Sequence, residues 1–155
     1  MEQRTKIKAE SGGQDLMITR EFDLPVGLLF EAYIEPELVE AWMGTKVIKL
    51  DSKKHGSYHI QTSNPDGQVV FQADGVIHEL VPNTKIIRTF EMLGTPFGVQ
   101  LELLQFEALG DETSRLTMHV VYESGAQRDQ VLQMGYVQGI NMAHNRLQEV
   151  VHSSR

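Results

Sequence analysis

After residue 46 the spacing of apolar residues along the chain changes once, from every second position to every third or fourth. That change restricts the fold more than any other feature. From Val47 to Tyr122, apolar side chains recur at about every second position, in six runs divided by turn residues. From Ala126 to Val151 they recur every three or four positions, without a proline. A period of two indicates β-strands and a period near 3.6 an α-helix. An antiparallel sheet followed by one long amphipathic helix is therefore predicted.

The predicted strands are bounded by clusters of glycine, proline, asparagine and aspartate, which favour turns. The turn at Asn64–Gly67 has the Asp-Gly pair typical of hairpins, and Gly75 predicts a bulge or bend inside a long strand. The predicted strands, with an earlier one included, are 16–22, 47–50, 58–61, 69–80, 85–92, 99–107 and 113–122. In the last strand the apolar side chains share one face, which is typical of an antiparallel sheet with one face on a core.

Two short helices are predicted between the first strand and the rest of the sheet. The first, Pro25–Ile34, begins at a proline, which the first helical position tolerates because its N–H would be unpaired there anyway. The second, Pro36–Met43, begins in the same way and is expected to end at Gly44. Both have apolar residues at helical spacing, so each should bury one face.

The final helical segment contains two glycines, Gly135 and Gly139, four positions apart. Each costs about 1 kcal/mol relative to alanine inside a helix. Close approach to the sheet or space for a ligand would explain them, and a tolerated weakness in a well-packed helix is the alternative.

These elements predict an α+β fold in which a curved antiparallel sheet of about six to seven strands surrounds a long C-terminal helix. A length of 155 residues suits one domain with one core. Residues 1–13 are polar and are expected to form a flexible tail, or a short strand and turn, ahead of a domain that spans residues 14–155.

The charge and composition exclude several classes of partner. With 14 basic and 21 acidic residues the net charge is −7, which argues against nucleic acid and anionic membrane surfaces. There is no cysteine, so disulfides and cysteine chemistry are excluded. No stretch has the length of a membrane span, and the polar N-terminal segment has no apolar run for a signal peptide. A cytoplasmic protein is expected.

No arrangement of residues predicts catalysis or metal binding. The six histidines lack metal-site spacing, and Ser124 lies outside any nucleophile-elbow motif. No phosphate-binding loop is present, since Gly12-Gly13 lacks both the spacing and the following lysine. We expect no catalytic residue, no metal and no cofactor.

The order of motifs resembles the SRPBCC (START-like, helix-grip) superfamily, and within it the branch named after the activator of heat-shock protein 90 ATPase homologue. The opening positions that match that branch are Arg20, Phe22, Pro25, Phe30, Ala32, Pro36 and Trp42. Later matches are Gly56-Ser57-Tyr58, Pro65-Asp66-Gly67, 78–90, 113–117, Gly135-Tyr136 and Leu147. The resemblance covers roughly Leu16 to Val151. Met43 and Tyr136 replace tryptophans common in the family.

The resemblance implies a START-like domain with a ligand cavity between the sheet and the last helix. Its expected ligand-binding wall is Trp42, Tyr58, Ile60, Phe71, Arg88, Phe90, Leu101, Met118, Val120, Met134, Tyr136 and Met142. Each of these residues could instead fill an ordinary core. Arg88 shares a face with Ile86 and Phe90 and therefore needs a partner, such as a ligand carboxylate, or a position at a solvent-exposed rim.

These observations predict a binding protein for a small hydrophobic or aromatic molecule, with no catalytic residues identified. One alternative is an enzyme like the polyketide cyclases or hydrolases of the superfamily, in which Tyr58, Arg88, His119 and Tyr136 would transfer protons. Another is a chaperone-binding role like that of the family's namesake, although we expect the separate N-terminal chaperone-binding domain to be missing.

Overall fold

The computed structural model describes residues 4–154, and within them the fold is α+β, as predicted. The helices are α1 Val26–Ile34, α2 Pro36–Met43, α3 Gly125–Gln133 and α4 Tyr136–Ser153. The strands are β1 Lys6–Lys8, β2 Asp15–Phe22, β3 Lys46–Leu50, β4 Ser57–Ser63, β5 Val69–Val81, β6 Lys85–Met92, β7 Val99–Ala108 and β8 Ser114–Val121. The two short helices and the seven predicted strands are therefore confirmed.

All strands belong to one curved antiparallel sheet, in the order β1-β2-β8-β7-β6-β5-β4-β3. Strands β3 to β8 pair with their neighbours in sequence, and β2 pairs with β8, which brings the two ends of the domain together. Within the described residues the sheet has eight strands, more than the six to seven predicted. The additional strand is β1, which pairs with β2 through Lys6–Lys8. Part of the predicted tail therefore forms the short strand that was the alternative.

The predicted C-terminal helix is divided in two, which corrects the expectation of a single helix over 126–151. Ser124 caps α3 by accepting a hydrogen bond from the Gln127 backbone N–H at 3.2 Å. The break follows at Gly135, whose φ of +81° lies in the left-handed region. Glycine adopts this conformation without a steric penalty, and it commonly ends helices. Helix α3 therefore ends before this residue and α4 begins after it.

The core lies between the inner face of the sheet and the helices. Buried apolar side chains alternate along β2 and β8, where Leu16, Leu116 and Val120 are completely buried. Helix α4 contributes Leu147 and Val151, and α1 contributes Leu29 and Phe30. These residues close one part of the space between sheet and helix, and the remaining part holds the candidate site.

Candidate functional site

A cavity of about 390 Å³ lies between the sheet and the beginning of α4. Its lining comes from α1, α2, β6, β7, β8 and the two C-terminal helices: Tyr33, Trp42, Met43, Arg88, Phe90, Met92, Gln100, Glu102, Met118, Val131, Met134, Gly135, Tyr136, Gly139, Ile140 and Ala143. The volume is within the range of small-molecule sites. Most of these side chains are apolar, so any polar group among them determines how a ligand can be oriented.

An ion pair lies on the sheet side of the cavity. Arg88 on β6 and Glu102 on β7 are directly opposite in the sheet register, and Arg88 Nε donates a hydrogen bond to Glu102 Oε1 at 2.8 Å. The side chains are 14% and 6% exposed. Gln100 Nε2 donates to Glu102 Oε2 at 2.8 Å. Each carboxylate oxygen therefore has one charged or neutral donor, as a buried anion requires.

Two tyrosine rings pack against the guanidinium of Arg88. Its Cζ lies 5.6 Å from the ring centroid of Tyr33 and 5.4 Å from that of Tyr58. The negative face of an aromatic ring attracts a cation at this distance. Tyr58 is itself held by its hydroxyl, which donates to the Thr89 carbonyl oxygen at 2.5 Å. Gly75 on β5 permits this arrangement, since a Cβ there would collide with the Tyr58 ring and Thr89 O.

All four tyrosines of the chain are electrostatically coupled to this ion pair. Burial raises the pKa of Tyr33, Tyr58, Tyr122 and Tyr136 well above the ordinary range, and the charge of Glu102 raises each further. Burial opposes the Arg88 cation, but Glu102 and the tyrosines outweigh it and raise the pKa of Arg88. Arg88 therefore stays ionised and the phenols stay neutral near pH 7.

A further polar atom, the Tyr122 hydroxyl, lies outside the cavity lining but close to Tyr136. It is buried and has no hydrogen-bond partner among residues 4–154. The charge of Glu102 influences Tyr122, and Tyr122 in turn influences Tyr136, which lines the cavity. Buried hydroxyls without a partner are uncommon in proteins, so this atom marks a position where a further polar group would be stabilised.

The walls are aromatic and rich in methionine. Among the methionines in residues 4–154, four line the cavity: Met43, Met92, Met118 and Met134. Trp42 is held in position by its indole N–H, which donates to the Ala32 carbonyl at 2.7 Å. Methionine is flexible and polarisable and adapts to varied apolar shapes. Met134 is 67% exposed, so the cavity reaches the surface near the junction of α3 and α4.

The structure brings six of the predicted wall residues to this cavity: Trp42, Arg88, Phe90, Met118, Met134 and Tyr136. Tyr58 and Ile60 line a neighbouring void of about 20 Å³, which shares Trp42, Arg88 and Phe90 with the cavity. Arg88 faces the cavity, and its partner is Glu102 from the same chain. A ligand carboxylate is therefore not needed to neutralise it.

Four predicted wall residues do not reach the cavity. Leu101 is 38% exposed on the outer face of β7, because Gln100 and Glu102 occupy the inner positions on either side. Val120 is completely buried in the packed core. Met142 is exposed on α4, and Phe71 pairs with Thr62 near the end of the β4–β5 hairpin.

Three polar residues of the cavity lining were not predicted from the sequence: Tyr33, Gln100 and Glu102. A signal for the β7 residues was present, because Leu104 and Phe106 lie at the same parity as Gln100 and Glu102 and are buried in the core. The predicted wall contains Leu101, which would require the opposite facing of β7. Position along the alternating strand was the better guide than the polarity of one residue.

His119, a candidate proton-transfer residue in the enzyme alternative, lies on the opposite face of β8 from Met118. Its Nε2 is 2.7 Å from Asp15 Oδ2 in a half-exposed pair. It is therefore separated from the Arg88–Glu102 pair by the sheet. Among residues 4–154 no three His, Asp or Glu side chains lie close enough to hold a metal ion, and no helix there is long and apolar enough to cross a membrane.

Residues 23–152 match the family model described as "Activator of Hsp90 ATPase homolog 1-like protein". This family lies within the SRPBCC superfamily. No curated protein matches the chain. The family match covers nearly the same residues as the motif resemblance found in the sequence.

Solved structures share the fold at low sequence identity. A protein from Rhodobacter sphaeroides has a TM-score of 0.85 at 21% identity over 96% of this chain and 99% of its own. A protein from Arthrobacter aurescens has a TM-score of 0.84 at 18% identity, over 96% of this chain and 91% of its own. A protein from Mycobacterium smegmatis has a TM-score of 0.83 at 23% identity, over 95% of this chain and 96% of its own. These likenesses show the helix-grip fold.

Proposed function

The chain belongs to the Activator of Hsp90 ATPase homolog 1-like family of the SRPBCC superfamily, and from that premise we propose that it binds a small hydrophobic or aromatic molecule. The ligand would occupy the cavity of about 390 Å³ beside α4. The observation that carries this proposal is the combination of apolar walls with one buried ion pair, Arg88–Glu102, at the cavity surface. Few, convergent polar groups in an apolar pocket are the usual composition of a ligand site.

The size of the cavity limits the ligand. Since a water molecule occupies about 30 Å³ of liquid, the volume corresponds to roughly a dozen water-sized groups. Molecules with two or three fused rings suit it, and flexible methionine walls would allow some variation in shape. The proposal includes the cytoplasmic location and the single START-like domain, residues 14–155, expected from the sequence.

The first experiment searches for this ligand. A native mass spectrum of the protein from its own host would reveal a co-purifying small molecule. A thermal-shift screen with flavonoids, polyketide-like aromatics, sterols and fatty acids would find others, because a ligand of the folded state raises Tm by mass action. A saturable rise in Tm, or a bound mass, is the expected result.

A pair of variants tests whether the ligand occupies this cavity. Gly139 lines it, and a Cβ built there meets no atom within 4 Å, so Gly139→Leu should fill part of the space and abolish the shift. Val137→Leu adds bulk to the exposed part of the same helix and is the matched control. Binding unchanged in Gly139→Leu would place the ligand elsewhere, and a complete absence of ligands would contradict the proposal.

The family description raises a second candidate, stimulation of a chaperone ATPase. It is carried by the family match alone. The test is a measurement of Hsp90 ATPase rate with and without this protein. An unchanged rate and no complex in a pull-down would eliminate it.

In the enzyme alternative Tyr58, Arg88 and Tyr136 remain as candidates for proton transfer, whereas His119 lies on the other face of the sheet. A cyclase- or hydrolase-like reaction would show turnover that falls when Arg88 and Tyr136 are substituted. Binding that survives with no product formed would exclude it for the ligands tested.

A further inference from the structure

We propose that the Arg88–Glu102 pair selects electrically neutral ligands whose polar edge presents a hydrogen-bond acceptor beside a donor, as an amide does, and that it discriminates against carboxylates. This inference rests on the proposed function, because it concerns the ligand of the same cavity. It names the class of that ligand by its charge and its hydrogen-bonding edge.

The guanidinium supplies the donors. Arginine has five N–H groups in a planar fork, and within residues 4–154 the only one engaged in a hydrogen bond is that of Nε, which donates to Glu102. The two terminal nitrogens of Arg88 therefore remain for a ligand, and Arg88 lines the cavity. Tyr33 and Tyr58 pack against the guanidinium through their rings, so they do not use these hydrogen atoms.

The carboxylate supplies the acceptors. An ionised carboxylate has about four lone-pair sites. Glu102 accepts one hydrogen bond at each oxygen, from Arg88 and from Gln100. Capacity remains on both oxygens, and Glu102 also lines the cavity. A ligand edge with a carbonyl oxygen and a neighbouring N–H can thus accept from Arg88 and donate to Glu102 at once.

Charge then decides between ligands of the same shape. Arg88 and Glu102 are the only charged residues in the lining found within the described chain, and their charges cancel. A ligand carboxylate that approached Arg88 would also approach the Glu102 anion, 6% exposed and held to Arg88. Placing a second anion there costs both desolvation and like-charge repulsion. A neutral amide avoids both costs.

The neutral groups around the pair agree with this preference. Gln100, Tyr33 and Tyr136 line the cavity, and Gln100 uses one amide hydrogen for Glu102. Phenols and amides bind donors and acceptors without a net charge. Among residues 4–154 no further cation lies in the lining to compensate a ligand anion.

The test uses four naphthalene probes of nearly equal shape with the intact protein at about pH 7.5, where carboxylic acids are ionised. They are 2-naphthamide, 2-naphthoate, 2-acetylnaphthalene as an acceptor without a donor, and 2-methylnaphthalene as the apolar reference. Titration calorimetry measures each Kd. We expect naphthamide to bind tightest and about tenfold or more tighter than naphthoate, given the cost of a second buried anion.

A charge-neutralising variant should reverse the order. Glu102→Gln leaves Arg88 without its anion, so naphthoate should gain about tenfold or more in affinity by taking that place. Glu107→Gln is the matched control, because Glu107 lies on the same strand, is 58% exposed and pairs with Arg115 on the outer face. Glu107→Gln should leave the Kd of all four probes unchanged. Circular dichroism verifies that both variants are folded.

The outcomes separate this inference from the proposed function. If naphthoate binds the wild-type protein as tightly as naphthamide, the selectivity is refuted and the apolar site stands. If all four bind equally, the ion pair does not contact the ligand and the inference is wrong. If none binds up to its solubility limit, both the inference and the proposed function are contradicted. The wild-type comparison decides even if Glu102→Gln fails to fold.

Discussion

The two halves of helix α4 face the same sheet but pack against it in opposite ways. Toward the C-terminal end, His144, Leu147 and Val151 are almost completely buried. Toward the N-terminal end, the helix brings Gly139 and Ala143 to the cavity. Glycine and alanine leave space where leucine and valine fill it, so the position of the cavity follows from side-chain size along one helix.

The difference indicates how one element combines stability with binding. A fully buried leucine contributes about 1.5–3 kcal/mol relative to an exposed one, and the C-terminal half of α4 supplies contacts of this kind. The N-terminal half lacks such contacts and leaves space beside the Arg88–Glu102 pair. We expect stability to be sensitive to changes in the packed half, and binding to be sensitive to changes in the open half.

Leu147→Ala tests the packed half and should have the largest effect. Leu147 is completely buried, so the change should lower the free energy of unfolding by about 3–5 kcal/mol through lost transfer energy and a new cavity. Ile140→Ala, at the cavity, should cost about 1 kcal/mol or less, because its neighbours already leave space. Urea unfolding measures both. Equal losses would contradict the division of α4.

Arg88→Met tests whether the ion pair beside the open half of α4 contains a charge that destabilises the fold when its partner is removed. It leaves Glu102 buried without its cation, and we expect a loss of about 3 kcal/mol in unfolding free energy. The double variant Arg88→Met/Glu102→Leu should recover much of it, because it removes the unpaired charge. Arg115→Met, in the half-exposed pair with Glu107, should cost at most about 1 kcal/mol. A double variant less stable than Arg88→Met would refute this account.

His144 makes the packed half sensitive to acid. Burial, together with the positive charge of Arg20, lowers the pKa of His144 to about 3. The unfolded chain binds this proton near pH 6.5 and the folded one does not, so stability falls as the pH drops from 6.5 toward 3. The loss should be roughly 1 kcal/mol per pH unit in that window.

His144→Gln should remove that contribution while keeping a polar group near Thr5, whose hydroxyl lies 2.6 Å from His144 Nδ1. The control, His152→Gln, removes an exposed imidazole from the last turn of α4. Urea unfolding at several pH values gives the slope for each variant. A wild-type slope equal to that of His144→Gln would show that His144 does not contribute.

The strands and short helices could be predicted from the sequence because local signals agreed with the tertiary structure. Alternation located β4 to β8 to within a few residues, and proline and glycine located both ends of α2. The break before α4 was not predicted, because the apolar positions remain in helical phase across Gly135. A glycine in a helical pattern is compatible with both a weak helix and a left-handed end.

The candidate site was predicted only in part, for a different physical reason. Period two identifies the residues that share a face, but each strand has two possible facings, and one polar residue can reverse the choice. Arg88 lies on the inner face with Ile86 and Phe90, the facing that alternation along β6 favours. Glu102 was missed because the predicted wall contained Leu101, which implies the opposite facing of β7. The pairing of Glu102 with Arg88 depends in addition on the register between β6 and β7, which is a long-range property. A buried charge is recognised only when its partner is known.

The smallest predicted effect compares the two glycines of the open half. Gly139 lies inside α4, and a Cβ built there meets no atom within 4 Å. Gly139→Ala should therefore raise the free energy of unfolding by about 0.5–1 kcal/mol, through better helix propensity and a less flexible unfolded chain. A methyl group is too small to fill a cavity of about 390 Å³, so probe binding should persist.

Gly135→Ala is the opposite case, although a Cβ there also meets nothing within 4 Å. Its φ of +81° is unfavourable for any residue with a Cβ, so this change should cost about 1–2 kcal/mol. Urea unfolding of the two variants distinguishes the causes, because free space is common to both and only the backbone conformation differs. If Gly139→Ala lowered the free energy of unfolding as much as Gly135→Ala, the fold of the open half would require a glycine at position 139 as well. If instead Gly139→Ala raises the free energy of unfolding and Gly135→Ala lowers it, then Gly139 lowers the stability of α4 while leaving space for the cavity.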